Sequence, residues 1–438
     1  MKNIIKKICI VIIVLTFGFV LSSCKENSSS GNNKKNSVTN EYMLAEEEAC
    51  FNFFWETQNI NELSKGCGLI PDRYPPNGLA SIASVGYGLA AFVVGVKNGW
   101  ITKEEGYDRA LLTLTKLKDI ERVKGFYYHF YYEKIGGIAK DSEVSNIDTA
   151  IFLCGALTAG SYFKGDVERL ANEIYDEVDW NWFIDKSVNQ FYMSYNATTS
   201  KFGGHWDTYA EQLMMYFLGA GSKTHPIEKK VYYSFKRYYG KYKGERFINS
   251  WFGSIFTYQF SHAFIDFRYM TDENGVNWFD NSVEATLANY HYCVNNPEGF
   301  NTFMKDQWGI TACDTPTGYS GLLGSLPSGN NTKMFTNDGT IAPCGAIGSI
   351  VFAPDLVLPC FRNYSTLLDG SLIGEYGYKD AFNFDGVRPW IASSTIGIDK
   401  GISLLMIENY RSELIWEYFM QCEFMDRAIN VLGFTKDS

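Results

Sequence analysis

The sequence has no HExxH, no CxxC pair, and no P-loop or dinucleotide fingerprint. Each absence removes a class of chemistry. Without clustered Cys and His there is no zinc signature, and the five histidines are scattered. The stretch "DENGVNWFD" from Asp272 hints at a calcium loop, but Gly275 falls two positions early for an EF-hand. "GYSG" at Gly318 lacks the second spacer of a nucleophile elbow and follows no strand pattern, which excludes a serine hydrolase. No metal and no cofactor is expected. Positive charge is also scarce. With 39 Lys and Arg against 49 Asp and Glu, the net charge is −10, so no nucleic acid partner is expected. The eight cysteines after Cys24 form no framework, and Cys50, Cys154 and Cys422 sit in apolar helical patterns as core thiols.

Apolar and aromatic residues are plentiful. Hydrophobic residues make up 46% and aromatics 16%, enough for a large core and for a cleft lined with flat rings. At the N-terminus Lys2, Lys6 and Lys7 precede the apolar run "ICIVIIVLTFGFVL", and "LSSC" places small residues before Cys24. This is the pattern of a bacterial lipoprotein signal, cut before Cys24, whose thiol then takes lipid. Residues 1–23 are read as signal peptide and 24–40, polar and low in complexity, as a flexible tether. The expected location is the bacterial cell envelope, membrane-anchored through Cys24, with residues 41–438 as a single monomeric domain.

That domain reads mainly as helices. "LASIASVGYGLAAFVVGVKNGW", "KEEGYDRALLTLTKLKDIE" and "EVSNIDTAIFLCGALTAGSYF" carry apolar residues at three-to-four spacing. Further helices are expected near 166–178, 205–221, 226–238, 254–270, 279–296, 345–366 and 402–432, with the longest loop at 298–344. No Pro-rich linker or strand-rich region divides the chain after residue 40, and no repeat of fixed period runs through it. A dozen helices in one domain point to an all-α (α/α)6 barrel, with an open helical stack as the alternative.

Acids and aromatics gather at helix starts and in adjoining loops. They comprise Asp72 and Arg73; His129; Glu143 and Asp148; and Trp206, Asp207, Tyr209 and Glu211. Further along come Trp308, Asp314 and Tyr319; Asp338; and Asp399, Glu408, Tyr410 and Arg411. Asp207 and Glu211, four apart, would share one face of a helix at a cost in repulsion. Any one acid has an ordinary reading as a helix-end charge or an ion pair. Carboxylates beside aromatic platforms, without metal motifs, fit glycosidic chemistry. There one carboxylic acid protonates the leaving oxygen and another carboxylate activates water or attacks the sugar.

The blocks "SEVSNIDTAIFLCGAL", "HWDTYAEQLMMYFLGAGSKTHPI", "WGITACDTPTGY", "NDGTIAPCGAIGSIVFAPDLVLP", "EYGYKDAFN" and "IGIDKGISLLMIENYRS" follow one another over about residues 65 to 435. Together they resemble the bacterial glucoamylase-like family, which includes endo-β-1,2-glucanases and sophorose-releasing β-1,2-glucan hydrolases. The resemblance implies one (α/α)6 barrel, no metal, and inverting hydrolysis of β-1,2-glucan. It implies Glu211 as general acid, Asp399 as candidate base with Glu143 as rival, and Asp148 as an orienting group. Lys400 stands where an uncharged residue is expected, and a cation there would lower the pKa of Asp399. A lipid-anchored glycan-binding protein without turnover, a hydrolase of another glucan and a polysaccharide lyase are the alternatives. The intact acidic blocks disfavour the first and the last.

Overall fold

Two kinds of helix alternate along the chain, and their burial tells them apart. In order they are α1 (Ser30–Thr57), α2 (Ile82–Asn98), α3 (Lys103–Lys118), α4 (Asn146–Phe163), α5 (Gly165–Asp176), α6 (Leu213–Gly221) and α7 (Lys229–Tyr232). Then come α8 (Trp278–Asn295), α9 (Pro343–Ile347), α10 (Pro354–Thr366), α11 (Gly397–Ser412), α12 (Leu414–Met420) and α13 (Glu423–Leu432). The computed structural model describes residues 30–329 and 336–436. The expected signal peptide and Cys24 lie outside the described residues, and α1 begins within the segment read as a tether.

Helices α2, α4, α6 and α11 are apolar nearly all round and buried over most of their length. By contrast α5 is amphipathic, burying Val167, Leu170, Ala171, Ile174 and Tyr175 and turning its charges outward. The first kind can only be interior; the second covers it. The interior helices close a ring. Helix α2 packs on α4, α4 on α6, and α11 on both α9 and α2. The 3-10 turns Ile255–Tyr258 and Phe260–Ala263 complete it: Ser261 Oγ accepts from the Met214 amide, and Gln259 Nε2 donates to the Gly345 carbonyl. Helices α1, α3, α5, α8, α10 and α13 surround this ring, which makes the domain an (α/α)6 barrel as the helix count suggested. Close approach is possible because glycines meet. A Cβ on Gly155 of α4 would lie 1.8 Å from the carbonyl oxygen of Gly86 in α2, so neither position accepts a larger residue.

Short ribbons lead into the inner helices. Leu79–Ser81 pairs with Phe130–Tyr132 before α2, and Arg73–Tyr74 pairs with Thr395–Ile396 before α11. Strands at Val144–Ser145, Ile184–Asp185, Gln190–Asn196 and Lys201–His205 form an antiparallel sheet at the start of α4. Periodicity does not reveal strands of two to seven residues, so no sheet was expected. The helix expected at 205–221 begins only at Leu213. Residues 206–212 are held otherwise: the Trp206 amide donates to the Phe191 carbonyl at 2.9 Å, and the Lys236 amide to the Asp207 carbonyl at 2.7 Å. Gln212 bonds both the Ala210 amide and the Thr208 carbonyl, closing a local turn that competes with helix. The expected helices at 226–238, 254–270, 345–366 and 402–432 are likewise cut into shorter pieces.

Candidate active site

The inner helices start at one end of the barrel, so the orphan amides and positive dipole ends of α4, α6, α9 and α11 face a common mouth. Ser145 caps α4: its Oγ accepts from the Asp148 amide at 3.2 Å and donates to Asp148 Oδ2 at 2.5 Å. His129, on the ribbon entering α2, bonds Glu143 Oε1 through Nδ1 at 2.9 Å and brings Nε2 to 3.7 Å from Asp148 Oδ1. Burial works against a charge on His129, yet Asp148, Glu143 and Asp72 outweigh it and push its pKa up to about 9. A cation therefore sits between two carboxylates at neutral pH. Burial alone would raise Glu143, but the His129 contact prevails and holds it below the usual range. Asp148 is raised by burial, which His129 and Ser145 offset only in part.

Glu211 occupies the bend before α6, half-buried, with its carbonyl accepting from Ser261 Oγ at 2.7 Å. Desolvation, with a smaller contribution from the Asp148 charge, pushes its carboxyl up to about 7. The repelling neighbour is therefore Asp148. Asp207, which helical spacing would have stacked beside Glu211, is exposed and plays no part in that shift. The reason is the missing helix: residues 206–212 run through bends and a turn, so the i, i+4 stacking of a helix does not apply.

Across the mouth a second acidic group surrounds the first turn of α11. Asp399 is buried and accepts from the Cys344 thiol, at the start of α9, at 3.3 Å. Its carboxyl lines one small cavity with that of Asp380, also buried, near enough for one to hydrogen-bond the other when either holds a proton. Asp380 Oδ2 accepts from the Asp314 amide at 2.6 Å. Arg73 bridges Asp72 at 3.1 Å and Asp314 at 3.3 Å. Tyr319 stands half-exposed on the hairpin that carries Asp314, and Asp338 closes a turn by accepting from the Thr340 amide at 3.0 Å. Burial holds the Tyr87 phenol of α2 well above its ordinary range, and the charges of Asp399, Asp148 and Glu211 add to this, so both acidic groups lie within electrostatic reach of it.

Five residues expected at the substrate lie elsewhere. Tyr209 is buried, stacked on Trp278, with its hydroxyl donating to the Thr257 carbonyl. Trp308 is buried edge-on against Tyr290. Both were read from aromatic type alone, and the core claims them. Glu408, Tyr410 and Arg411 sit at the C-terminal end of α11, about 14 Å along the axis from Asp399. There Arg411 binds Glu47 and Glu408. Lys400 lowers the pKa of Asp399 as expected, but its ammonium is buried on Glu46 at 2.6 Å and burial of Asp399 outweighs it, so that carboxyl is raised. The calcium-like stretch is closed, because Asp272 spends its oxygens on Arg237, Tyr232 and the amides of Asn274 and Val276. Among the described residues no cluster of His, Cys, Asp and Glu is arranged to hold a metal ion.

Trp206 and Asp207 lie at a pocket next to the Glu211 bend. With Met193, His205, Thr208 and Trp251 they line its volume of about 240 Å³. A pocket of about 460 Å³ lies away from the acids, between the hairpin at Tyr239 and α8.

A family model described as "Putative glucoamylase" matches residues 204–423, half of the chain, including Glu211, Asp314, Asp380 and Asp399. The chain belongs to this family. Glucoamylase-like relatives extend the likeness over nearly the whole barrel. An exo β-1,2-glucooligosaccharide sophorohydrolase acting at the non-reducing end, from Parabacteroides distasonis, is 27% identical over 90% of the chain. The chain spans 58% of that relative's length. The crystal structure of a glucoamylase-like protein from Bacteroides uniformis superposes with a TM-score of 0.81 at 28% identity, covering 91% of this chain and 98% of the other. A β-1,2-glucanase from Parabacteroides distasonis does so with a TM-score of 0.80 at 25% identity, covering 90% and 60%.

Within this glucoamylase-like barrel, sequence reasoning singled out Asp314 but missed Asp380, Cys344, Tyr87 and Trp251. For Asp380 the available signal was an acid embedded in the aromatic run "YGYKDAF". For Tyr87 there was none, because a tyrosine in an apolar helix reads as core.

Proposed function

We propose that this protein hydrolyses β-1,2-glucan, either within the chain or from its end with release of sophorose. The observation that carries the reading is a half-buried carboxyl, Glu211, poised near pH 7 in an acid-lined cleft. The β-1,2-glucan-active relatives supply the substrate class. Glu211 donates its proton to the leaving glycosidic oxygen as the bond to the anomeric carbon breaks. A water attacks that carbon from the opposite face, and a carboxylate takes the proton it loses. Asp399 is that base, with Glu143 the rival: Glu143 is ionised more readily, whereas Asp399 is better desolvated. Asp148 orients and His129 balances charge. Trp206, Asp207 and Trp251 offer a glucosyl subsite in the adjoining pocket.

The test is incubation with linear β-1,2-glucan and, separately, with starch, followed by chromatography and NMR of the first-formed anomer. Sophorose-type products with inverted configuration are expected. Faster glucose release from starch would overturn the substrate, and retained configuration the mechanism.

The N-terminal pattern supports a second part of the reading: export, lipidation at Cys24, and a monomeric catalytic domain held at the envelope membrane. Stable anchoring takes more than one acyl chain, as a bacterial lipoprotein provides. Cys24→Ser should release the protein from the membrane fraction; unchanged fractionation, with no lipid mass on the mature wild type, would remove this part.

A further inference from the structure

We infer that Asp380 is a positioning residue that holds a proton and donates it in a hydrogen bond to Asp399, so that the pair carries one negative charge and Asp399 bears it. The inference rests on Asp399 being the base. Two buried carboxyls in contact cannot both be charged, because nothing between them offsets the repulsion. One must keep its proton, and the surroundings decide which. Asp399 stands in the first turn of α11, where the helix dipole favours an anion, and it accepts from the Cys344 thiol at 3.3 Å. Asp380 has no helix end beside it, and the one amide it meets is outweighed by burial and by the Asp399 charge. Its Oδ2 takes the Asp314 amide at 2.6 Å, and Asp314 brings a carboxylate close by. Its Oδ1 is buried and meets no N–H or hydroxyl donor, as expected of an oxygen that itself carries hydrogen. The charge settles on Asp399, and Asp380 and Cys344 fix its orientation with two donors.

The other titratable groups facing the pair are few. Tyr87 approaches from α2, and Cys313, Asp314 and Tyr319 from the hairpin before α9. Asp72 approaches from the strand before α2, its charge bridged by Arg73. Lys400 follows Asp399 on α11, with Glu46 of α1 bound to it. The cations among them, Arg73 and Lys400, are each bound to a carboxylate, and Lys400 lowers Asp399 less than its donors Asp380 and Cys344 do.

The pH dependence of kcat tests this, because the sign of the change tells a proton-bearing partner from a charged one. Asp380→Asn replaces a neutral acid by a neutral amide that can still donate. It should leave the acidic limb within about 0.3 units of wild type and kcat within about threefold. Asp380→Ala removes a donor to a buried anion, raises the pKa of Asp399, and should move the acidic limb up by about one unit. Should Asp380→Ala fail to fold, Asp380→Asn alone still decides. A shift of its limb to lower pH would mean that a charge had been removed, and would overturn the inference. So would an unmoved limb in folded Asp380→Ala. Asp399→Asn separates the underlying reading. If it retains turnover, Asp399 is not the base. If it is inactive while the Asp380 variants depart from the expected pattern, only the inference falls.

Discussion

The two ends of α11 carry carboxylate clusters that look alike in sequence and behave oppositely in the fold. At the C-terminal end Glu47 and Glu408 share Arg411, while Asn98 and Ser412 bond Glu408 as well. That cluster is closed, with its cation at its centre and Glu408 and Glu47 almost without exposure. At the N-terminal end Asp399, Asp380, Asp148 and Glu211 outnumber the cations near them. His129 and Arg73 are engaged by Glu143, Asp72 and Asp314. A buried acid locked on arginine is structure even where it keeps a proton, as Glu47 does; a desolvated acid facing other acids at the mouth holds a proton that can be given away. Acid count does not separate the two ends. The placement of cations does.

The largest effect belongs to the mouth. Glu211→Gln keeps shape and hydrogen-bonding capacity but removes the transferable proton. Turnover should fall by about two to four orders of magnitude, with substrate binding and melting temperature nearly unchanged. Near-wild-type kcat in a folded Glu211→Gln protein would make the mouth as purely structural as the far end, and would hand the acid role to Glu143 or Asp148.

Next comes the like-charge coupling at the mouth. Activity that needs protonated Glu211 is lost as pH rises through about 7. Asp148→Asn removes the repulsion that helps hold the proton there, so the basic limb of the kcat profile should move down by about one pH unit. An unmoved limb would leave desolvation as the only cause of the raised value.

The far end should answer in stability instead. Burial first, and the Glu408 charge second, push Glu47 from 4.5 up to about 9 in the folded protein. Below pH 4.5 folded and unfolded chains both hold that proton, so it costs nothing. As pH rises toward 9 only the unfolded chain loses it, and the folded state is penalised. Glu47→Gln should therefore raise the melting temperature by about 1–3 °C at pH 8, make no difference near pH 4, and leave kcat alone. A change in kcat would break the separation between the ends.

Much of this was legible beforehand, for identifiable reasons. The apolar runs of α2, α4 and α11 announce buried helices, and Ser145 with Asp148 announces a helix start at which an acid is welcome. The family blocks led to Glu211 and Asp399. What stayed hidden depends on contacts distant in sequence. The helix expected through Trp206 and Asp207 gives way because Phe191 and Lys236 take up its backbone. Tyr209 and Trp308 have the composition of a sugar platform, but Trp278 and Tyr290 bury them. Asp380 matters only because Asp399, nineteen residues on, is folded back against it.

The smallest effect concerns Asp207, at the mouth yet unlike its neighbours. Its side chain is exposed, so solvent screens its charge, and it does not contribute to the raised value of Glu211. Asp207→Asn should leave both limbs of the pH profile within about 0.2 units of wild type, in contrast to Asp148→Asn. Its carboxylate lines the pocket with Trp206 and Trp251, where it can accept hydrogen bonds from sugar hydroxyls. An amide keeps one acceptor and loses the charge, so KM should rise about two- to fivefold with kcat nearly constant. Steady-state kinetics on β-1,2-glucooligosaccharides from pH 5 to 9 separates the outcomes. A basic limb displaced as far as in Asp148→Asn would mean that position at the mouth is enough to couple an acid to Glu211, whatever its exposure. A KM shift without displacement keeps the distinction where burial draws it: acids out of water set the proton's affinity, and acids in water hold sugar.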